Sequence, residues 1–484
     1  MNQKILLIQP PQEPEVDRPF LEFPRGLGLI ARALIDNNFK VEVLDIQVDQ
    51  YKRHEVKEII NKSDYETFGI SAFATQYEYI KFLSKAIKQS NKKAKIILGG
   101  PLATLCYKTV LNKTNVDICV IVEGEITIID LMNNINNPNK VKGIAYKSKN
   151  NKIILTKPRE YIKNLDKINF PAYHLFSMKK YISNFAIMGK KMRGINILSS
   201  RGCPFNCYYC SHVFLFMRET SIGRVISEIK FLKNKYSIKG IKFFDDLFVF
   251  NKRRTIEFCK QIKKLNLQWR CSARVDTINL KILKMMRESG CIGIELGIES
   301  GSNKILKLMN KKTSVELNIK AIEMCKKAKI PLVIQFMFGY MGEDEKSIQE
   351  NINFFKKINL PCQFFNFATP FPGTQLYKYA KENKLINLDE DKYLLKLSKM
   401  VPIFWPKNNV IINLTNFSDN ELLRKANYFL AKTRINFIKN HIFKPHVLIK
   451  YYLRRAYIFY EYEGINGLIK GMGAYILSIL QNHK

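Results

Sequence analysis

The sequence predicts an α/β protein made of two successive parallel-sheet units followed by a helical region, and three observations predict it. Short apolar runs alternate with amphipathic helical stretches from residue 4 to about residue 130. The alternation lapses over roughly 131–190 and then resumes as six β/α repeats that end near 385. The last part of the chain, 386–484, carries helical spacing and many tyrosines. Buried strands separated by one-sided helices are what a parallel sheet covered on both faces requires. The expected organisation is a doubly wound, Rossmann-like unit over 1–135, a connecting segment over 136–190, a repeat core over 191–385 and a helix-rich region over 386–484.

In the first unit, residues 4–8 read as a strand closed by Pro10-Pro11. Residues 26–37 follow as a helix with Leu27, Ile30, Ala31, Leu34 and Ile35 on its apolar side. Strands over 41–45, 67–71, 95–98 and 118–122 alternate with helices over 54–61 and 77–89, the latter turning Ile80, Leu83, Ala86 and Ile87 inward. Ligands of such sheets lie beyond the carboxyl ends of the strands. That singles out 9–12, 71–75, 99–104 and 123–125. The connecting segment contains a hairpin-like stretch over 143–155.

The repeat core opens with an apolar strand over 195–198 and a cysteine-bearing loop. A helix over 223–235 leads to a strand over 238–244 that ends in Asp245-Asp246. The strand over 268–272 ends at Arg274, and the one over 292–296 runs into Gly297-Ile298-Glu299-Ser300-Gly301. The strand over 331–338 ends at Gly339, and the last, over 363–368, meets Pro370-Phe371-Pro372-Gly373-Thr374. Helices over 255–264, 280–289, 314–328 and 348–357 connect them.

Composition narrows the class. A 46% hydrophobic content with 12% aromatics belongs to a packed globular protein. Ten cysteines without framework spacing, and an amino terminus without a leader pattern, fit a reducing, cytoplasmic setting. No run approaches the ~20 apolar residues needed to span a bilayer; the nearest, 464–480, is broken by Asn466, Lys470 and three glycines. The net charge of +37 is spread along a chain in which Lys and Asn dominate throughout. It therefore argues against a dedicated nucleic-acid surface and leaves room for a peripheral membrane contact. Local pairs such as Lys311-Lys312 read as solvated. The tyrosines of the tail, among them Tyr451, Tyr452, Tyr457, Tyr460 and Tyr462, read as core packing.

The most informative run is Arg201-Gly202-Cys203-Pro204-Phe205-Asn206-Cys207-Tyr208-Tyr209-Cys210. A zinc site wants four ligands, and only His212 stands near enough to complete one. A ferredoxin cluster wants four thiolates. Three thiolates on a [4Fe–4S] cluster leave one iron open to a small molecule.

Cys-x3-Cys-x2-Cys with an aromatic residue before the last cysteine resembles the radical S-adenosylmethionine (SAM) superfamily. The resemblance implies a partial (β/α)6 barrel with a cluster on Cys203, Cys207 and Cys210. It also implies SAM on the open iron, cleaved by one electron to a 5′-deoxyadenosyl radical. Its expected SAM neighbours are Tyr209, Asp245, Asp246, Arg274, Glu299, Ser300 and Gly339, of which only one of the two adjacent aspartates should face the barrel. The other cysteines read as buried thiols, with Cys271 as the one nearest the site.

Pro24-Arg25-Gly26-Leu27, Gly99-Gly100-Pro101 and Glu123-Gly124-Glu125, in this order upstream of the cysteines, resemble the cobalamin-binding domain that precedes many radical SAM cores. The cobalamin neighbours so implied are Gln9, Gln12, Arg25, Gly26, Ser71, Thr75, Gly99, Gly100, Glu123, Gly124 and Glu125. No Asp-x-His-x-x-Gly motif is present, so no imidazole is assigned to the lower face of the cobalt.

The resemblance implies methylation of an unactivated carbon of a small-molecule or lipid substrate, with a flavodoxin- or ferredoxin-type electron donor. The alternatives are an anaerobic oxidative cyclisation of a magnesium porphyrin and RNA modification. The latter family carries a second cysteine set and a carboxy-terminal RNA-binding module, neither of which stands in this chain. A cobalamin and SAM sensor or a plain electron carrier is the remaining, non-enzymatic alternative.

Overall fold

The computed structural model describes residues 4–11, 21–211, 213–214, 216–363, 365–400, 410–449 and 451–453. Gln12, His212, the 464–480 run and the tyrosines beyond 453 lie outside the described residues.

The first sheet is built from β1 (Lys4–Gln9), β2 (Lys40–Asp45), β3 (Thr67–Ser71), β4 (Lys95–Gly99) and β5 (Ile118–Val120), all parallel, in the spatial order β2-β1-β3-β4-β5. Helices α1 (Arg25–Ile35), α2 (Arg53–Lys62), α3 (Tyr77–Ser90), α4 (Gly100–Lys113) and α5 (Glu125–Asn133) connect them. Both faces of the sheet are covered, as a parallel sheet demands. Ile5, Leu7 and Ile97 point into one apolar cluster, while Leu6, Ile8, Ile96 and Leu98 point into the other. In α3 the inward set Ile80, Leu83, Ala86 and Ile87 is buried as its spacing predicts.

Two features differ from the sequence reading. Helix α4 starts at Gly100-Pro101, where the sequence reading places no helix; proline is tolerated in a first helical turn because the N–H groups there have no intrahelical partner. The hairpin β6 (Ile144–Lys147) and β7 (Ile153–Leu155) is no mere connector: β6 pairs antiparallel with β5, extending the first sheet at that edge.

The second sheet holds six parallel strands in sequence order: β8 (Gly194–Ile197), β9 (Gly240–Phe243), β10 (Gln268–Ala273), β11 (Cys291–Glu299), β12 (Leu332–Phe338) and β13 (Asn366–Phe367). It forms an open, partial barrel wrapped by α6 (Ile222–Tyr236), α7 (Lys252–Lys263), α8 (Leu280–Glu288), α9 (Val315–Lys327) and α10 (Glu345–Ile358). A side-chain oxygen from Ser221, Asn251, Asn279, Ser314 or Asp344 caps each of these helices by accepting a backbone N–H. Each cap satisfies a donor that the first helical turn leaves unpaired. The β/α repeats are thus legible as strand, loop, cap and helix.

Three further helices, α11 (Gln375–Glu382), α12 (Glu390–Leu397) and α13 (Asp419–His441), follow, and helical residues over 445–449 and 451–453 end the described chain. Helix α13 closes the outer side of the barrel, its Phe429 ring resting on Phe336, Phe338 and Phe355. Helix α12 returns to the first unit, where Asp391 accepts from Tyr77 and Lys81. Among the described residues, no helix is long and apolar enough to cross a membrane.

The two units also interlock at the loop that enters α1. The buried Asn196 amide, on β8, accepts the Phe23 N–H at 2.8 Å and donates to the Phe23 carbonyl at 3.0 Å. Phe23 itself is packed by Tyr173, Phe176 and Tyr181. Asn196→Leu strands a buried donor and a buried acceptor and should cost about 2–4 kcal/mol. Denaturant unfolding of the purified protein measures it; a loss within error would mean that the junction does not depend on this amide.

Candidate active site

The carboxyl ends of the two sheets face one shared cavity of about 800 Å³. The first unit contributes Gln9, Ser71 and Gly99 from strand ends, with Arg25, Gly26, Thr75, Gly100, Glu123, Gly124 and Glu125 from the loops and helix starts beyond them. The second contributes Cys203, Cys210 and Asp246. Gly100 has φ +85° and abuts the Ala72 backbone, where an added Cβ would stand 2.8 Å from the carbonyl oxygen. That backbone therefore forms a close-fitting wall that a side chain would spoil.

The cysteine loop is pinned from several directions. Tyr208 donates its N–H to the Met309 carbonyl at 3.0 Å and accepts the Leu376 N–H at 2.8 Å. Asn310 donates to the Asn206 carbonyl at 2.6 Å. Gly202, at φ +85°, leaves no room for a Cβ beside the Phe216 carbonyl. Cys207 is buried, Cys203 half-buried and Cys210 exposed, and all three are free thiols.

Cys210 opens onto the cavity, yet desolvation by the protein around it, with Asp246 and the Cys207 and Cys203 thiols adding to it, pushes its thiol up to about 12. Burial raises Cys203 as well. Only thiolates are ligands, so cations must displace these protons on binding. The Arg274 guanidinium stands 3.6 Å from the Cys207 sulfur. Among the described residues, no three His, Cys, Asp or Glu side chains close about a single ion. Three soft donors on one loop, mutually close and next to an arginine, suit an iron–sulfur cluster.

The sequence-predicted SAM neighbours divide by environment. Asp245 is buried and committed: its carboxylate accepts from the Ser199 N–H and hydroxyl and from Ser200, tying β9 to the end of β8. Asp246, by contrast, lines the cavity. The Arg274 guanidinium carbon stands over the Phe205 ring, 3.6 Å from its centroid, and the side chain pairs with Asp276 and donates to the Lys311 carbonyl. Glu299 receives the Lys311 ammonium at 2.9 Å, and the same ammonium reaches the Tyr209 hydroxyl at 3.0 Å. Ser300 is fully buried on Asn351, and Gly339 has φ +74° with its N–H on Glu343. Cys271 is buried and does not line the cavity.

On the other side of the cavity, Arg25 is held by both carboxylate oxygens of Glu228, at 2.7 and 2.8 Å, and by the Tyr173 hydroxyl. Glu123 and Glu125 are both taken by Arg201, and Glu123 also by Arg218. These two arginines hold the Glu123 carboxyl below the usual carboxylate range despite its burial.

Sequence reasoning missed four of these residues. Arg201 carried a visible signal, since it directly precedes Gly202-Cys203. Arg218 and Asn351 carried none. Lys311 was obscured by its neighbour Lys312; the pair reads as solvated, yet Lys311 is 4% exposed because it neutralises Glu299 inside the protein.

Two measurements follow from this geometry. Arg201→Gln leaves the half-buried Glu125 without its partner and takes one of two arginines from the buried Glu123, and should cost about 3 kcal/mol. It should also lower the iron retained after anaerobic reconstitution; unchanged stability and iron content would exclude the bracing role. Burial raises Glu343 to about 8, so the folded state binds a proton that the unfolded state releases near its ordinary carboxylate value. Stability should therefore fall as the pH rises from about 4.5 to about 8 and level off above that. Melting curves of Glu343→Gln should flatten that slope.

The description "Radical SAM superfamily" matches residues 197–355, and "B12 binding domain" matches 17–132. An uncharacterized methyltransferase of Pyrococcus horikoshii is 32% identical over 458 residues, covering 92% of this chain and 96% of that protein. An anaerobic magnesium-protoporphyrin IX monomethyl ester cyclase of Rubrivivax gelatinosus is 27% identical, covering 72% of this chain and 64% of its own length. Among solved structures, the cobalamin-dependent S-adenosylmethionine radical enzyme OxsB with aqua-cobalamin superposes with a TM-score of 0.65 at 19% identity, over 79% of this chain and 56% of that one. The radical S-adenosylmethionine methyltransferase TsrM of Kitasatospora setae, with cobalamin and a [4Fe–4S] cluster, gives 0.64 at 16% identity, over 80% and 76%. At these identities the two structures speak for the fold.

Proposed function

The chain belongs to the cobalamin-binding radical SAM enzymes, and on that premise we propose that it methylates an unactivated carbon of a small-molecule or lipid substrate. The observation that carries this reading is the single cavity, with Cys203, Cys210 and Asp246 on one side and Ser71, Gly99, Gly100 and Gly124 on the other. When bound, the cluster and cobalamin supply one-electron reduction of SAM and the carriage of a methyl group.

The protein's own part is to hold and to shield. Cys203, Cys207 and Cys210 would hold the cluster, with the Arg274 guanidinium donating toward the Cys207 sulfur. Asp246 is the acceptor for the SAM ammonium, whereas Asp245 braces the strand beneath it. Glu299, oriented by Lys311, suits the ribose hydroxyls or the sulfonium region. Ser300 acts through Asn351 to fix the end of β11, and the left-handed turn at Gly339 lets backbone approach an adenine.

In the first unit, Gly26 leaves open space beside it, where a Cβ would meet nothing within 4 Å. Together with Gln9, Ser71, Thr75, Gly99, Gly100 and Gly124 it forms a floor of the cavity that would hold the cobalamin. Arg25, Glu123 and Glu125 set the position of that floor through their ion pairs. Apolar side chains such as Ile70, Leu198, Phe244 and Phe371 line the space between and keep water from the reacting carbon. A flavodoxin- or ferredoxin-type donor would approach from the side of the exposed Cys210. The setting is cytoplasmic, with a peripheral contact to the membrane.

Oxidative cyclisation of a porphyrin-type substrate is the second reading, favoured by the likeness to the Rubrivivax gelatinosus cyclase. Anaerobic reconstitution with iron, sulfide and hydroxocobalamin, followed by reduction in the presence of SAM, tests both. The expected result is bound cobalamin and 5′-deoxyadenosine, with S-adenosylhomocysteine formed alongside once a methyl acceptor is present. Replacing Cys203, Cys207 and Cys210 by alanine should abolish SAM cleavage and spare cobalamin binding. SAM cleavage by a protein that takes up no cobalamin would overturn the methyltransferase reading. Product from a porphyrin substrate without S-adenosylhomocysteine would replace it with cyclisation.

A further inference from the structure

Helix α13 buries Leu422, Ala426, Phe429, Leu430 and Phe437 and ends at His441. The chain then turns at Ile442-Phe443-Lys444-Pro445 and folds back, so that Tyr451 rests on Phe437 with ring centroids 5.2 Å apart. The turn and the helical stretch after it expose what a core normally hides: Phe443 is 95% exposed and Ile442 61% on the turn, and Leu453 66% and Ile449 57% on the helical stretch. Single exposed apolar residues need no explanation, but four large ones within twelve residues mark a contact surface.

The charge around them is of one sign. Between Glu421 and Glu461 the chain carries nine Lys and Arg residues and no Asp or Glu. Lys439 and Lys444, both exposed, flank the Ile442-Phe443 pair directly. The chain-wide excess of Lys does not account for a stretch this long without a single carboxylate. Apolar side chains at the tip of a basic segment are what an anionic lipid interface accepts: hydrocarbon takes the former, and headgroup phosphates attract the latter. A nucleic acid would satisfy the charge but has no place for aliphatic Ile442, Ile449 and Leu453, which cannot stack on bases.

We propose that the turn after α13, centred on Ile442 and Phe443 and flanked by Lys439 and Lys444, docks this protein on an anionic membrane surface. The proposal gives the peripheral contact of the previous subsection its place on the molecule. It is independent of which reaction the cavity performs.

Cosedimentation of the full-length reconstituted protein with vesicles of phosphatidylglycerol and phosphatidylcholine, against phosphatidylcholine alone, tests it. Binding should require the anionic lipid and weaken with added salt. It should drop about tenfold or more in Lys439→Glu/Lys444→Glu, given the attraction each basic residue contributes near such a surface. Ile442→Asp/Phe443→Asp should lose binding as well, while both variants keep wild-type release of 5′-deoxyadenosine. Binding that ignores lipid charge, or that survives both variants, overturns the proposal. Binding of a generic RNA that the Lys variant loses and the Ile442/Phe443 variant keeps would assign the surface to nucleic acid instead. Failure of the wild type to cleave SAM would count against the enzymatic reading and leave the vesicle result to stand separately.

Discussion

The cavity exists because two sheets are held end to end, and the contact on which that depends is a buried ionic cluster. Arg201 leads directly into the cysteine loop, and its guanidinium is shared between Glu123 and Glu125 at the start of α5. Arg218, on the far side of the same loop, returns to Glu123 and to the Ile162 carbonyl. The loop that carries the thiols is thereby fastened at both ends to the loop that floors the opposite half. Buried pairs of this kind add little net stability compared with apolar contacts, yet removing one partner is expensive. Their value here is positional: they fix the distance between two sites that must act on one substrate.

A second layer of polar contacts performs the same service within the barrel. Asp245 joins the ends of β8 and β9, and Asn351 joins the loop after β11 to Glu343 below Gly339. Lys311 holds Glu299 and Tyr209 together. Each brings a charged or polar group into the interior only where partners satisfy it, the condition under which burial is tolerated. The strand ends are therefore tied to one another by the protein's own side chains, and Asp246 lines the cavity beside them.

What could be read from the sequence was what local spacing encodes. The amphipathic period of α3 and the cysteine triplet are each written within a few residues of one another. The alternation of strand and helix yielded both parallel sheets. The braces could not be read, because their partners are remote: Arg201 and Glu123 are 78 residues apart, and Lys311 and Tyr209 are 102. The same distance explains why Arg274 and Ser300 looked free for a ligand, when the fold engages one behind Cys207 and the other on Asn351. The hairpin β6–β7 was visible as a hairpin but not as an edge of the first sheet, since its partner β5 is short.

Helix α12 gives the molecule a direction in time. Its Asp391 meets Tyr77 across 314 residues of chain, and its neighbour Ser398 receives the Glu78 N–H. During synthesis the first sheet can fold once its own strands have emerged, and the barrel can follow repeat by repeat. The strap that binds the end of the barrel to the start of the chain can form only after both sheets have been synthesised, so a tie spanning 314 residues is a late step of folding and the two halves must first take shape without it.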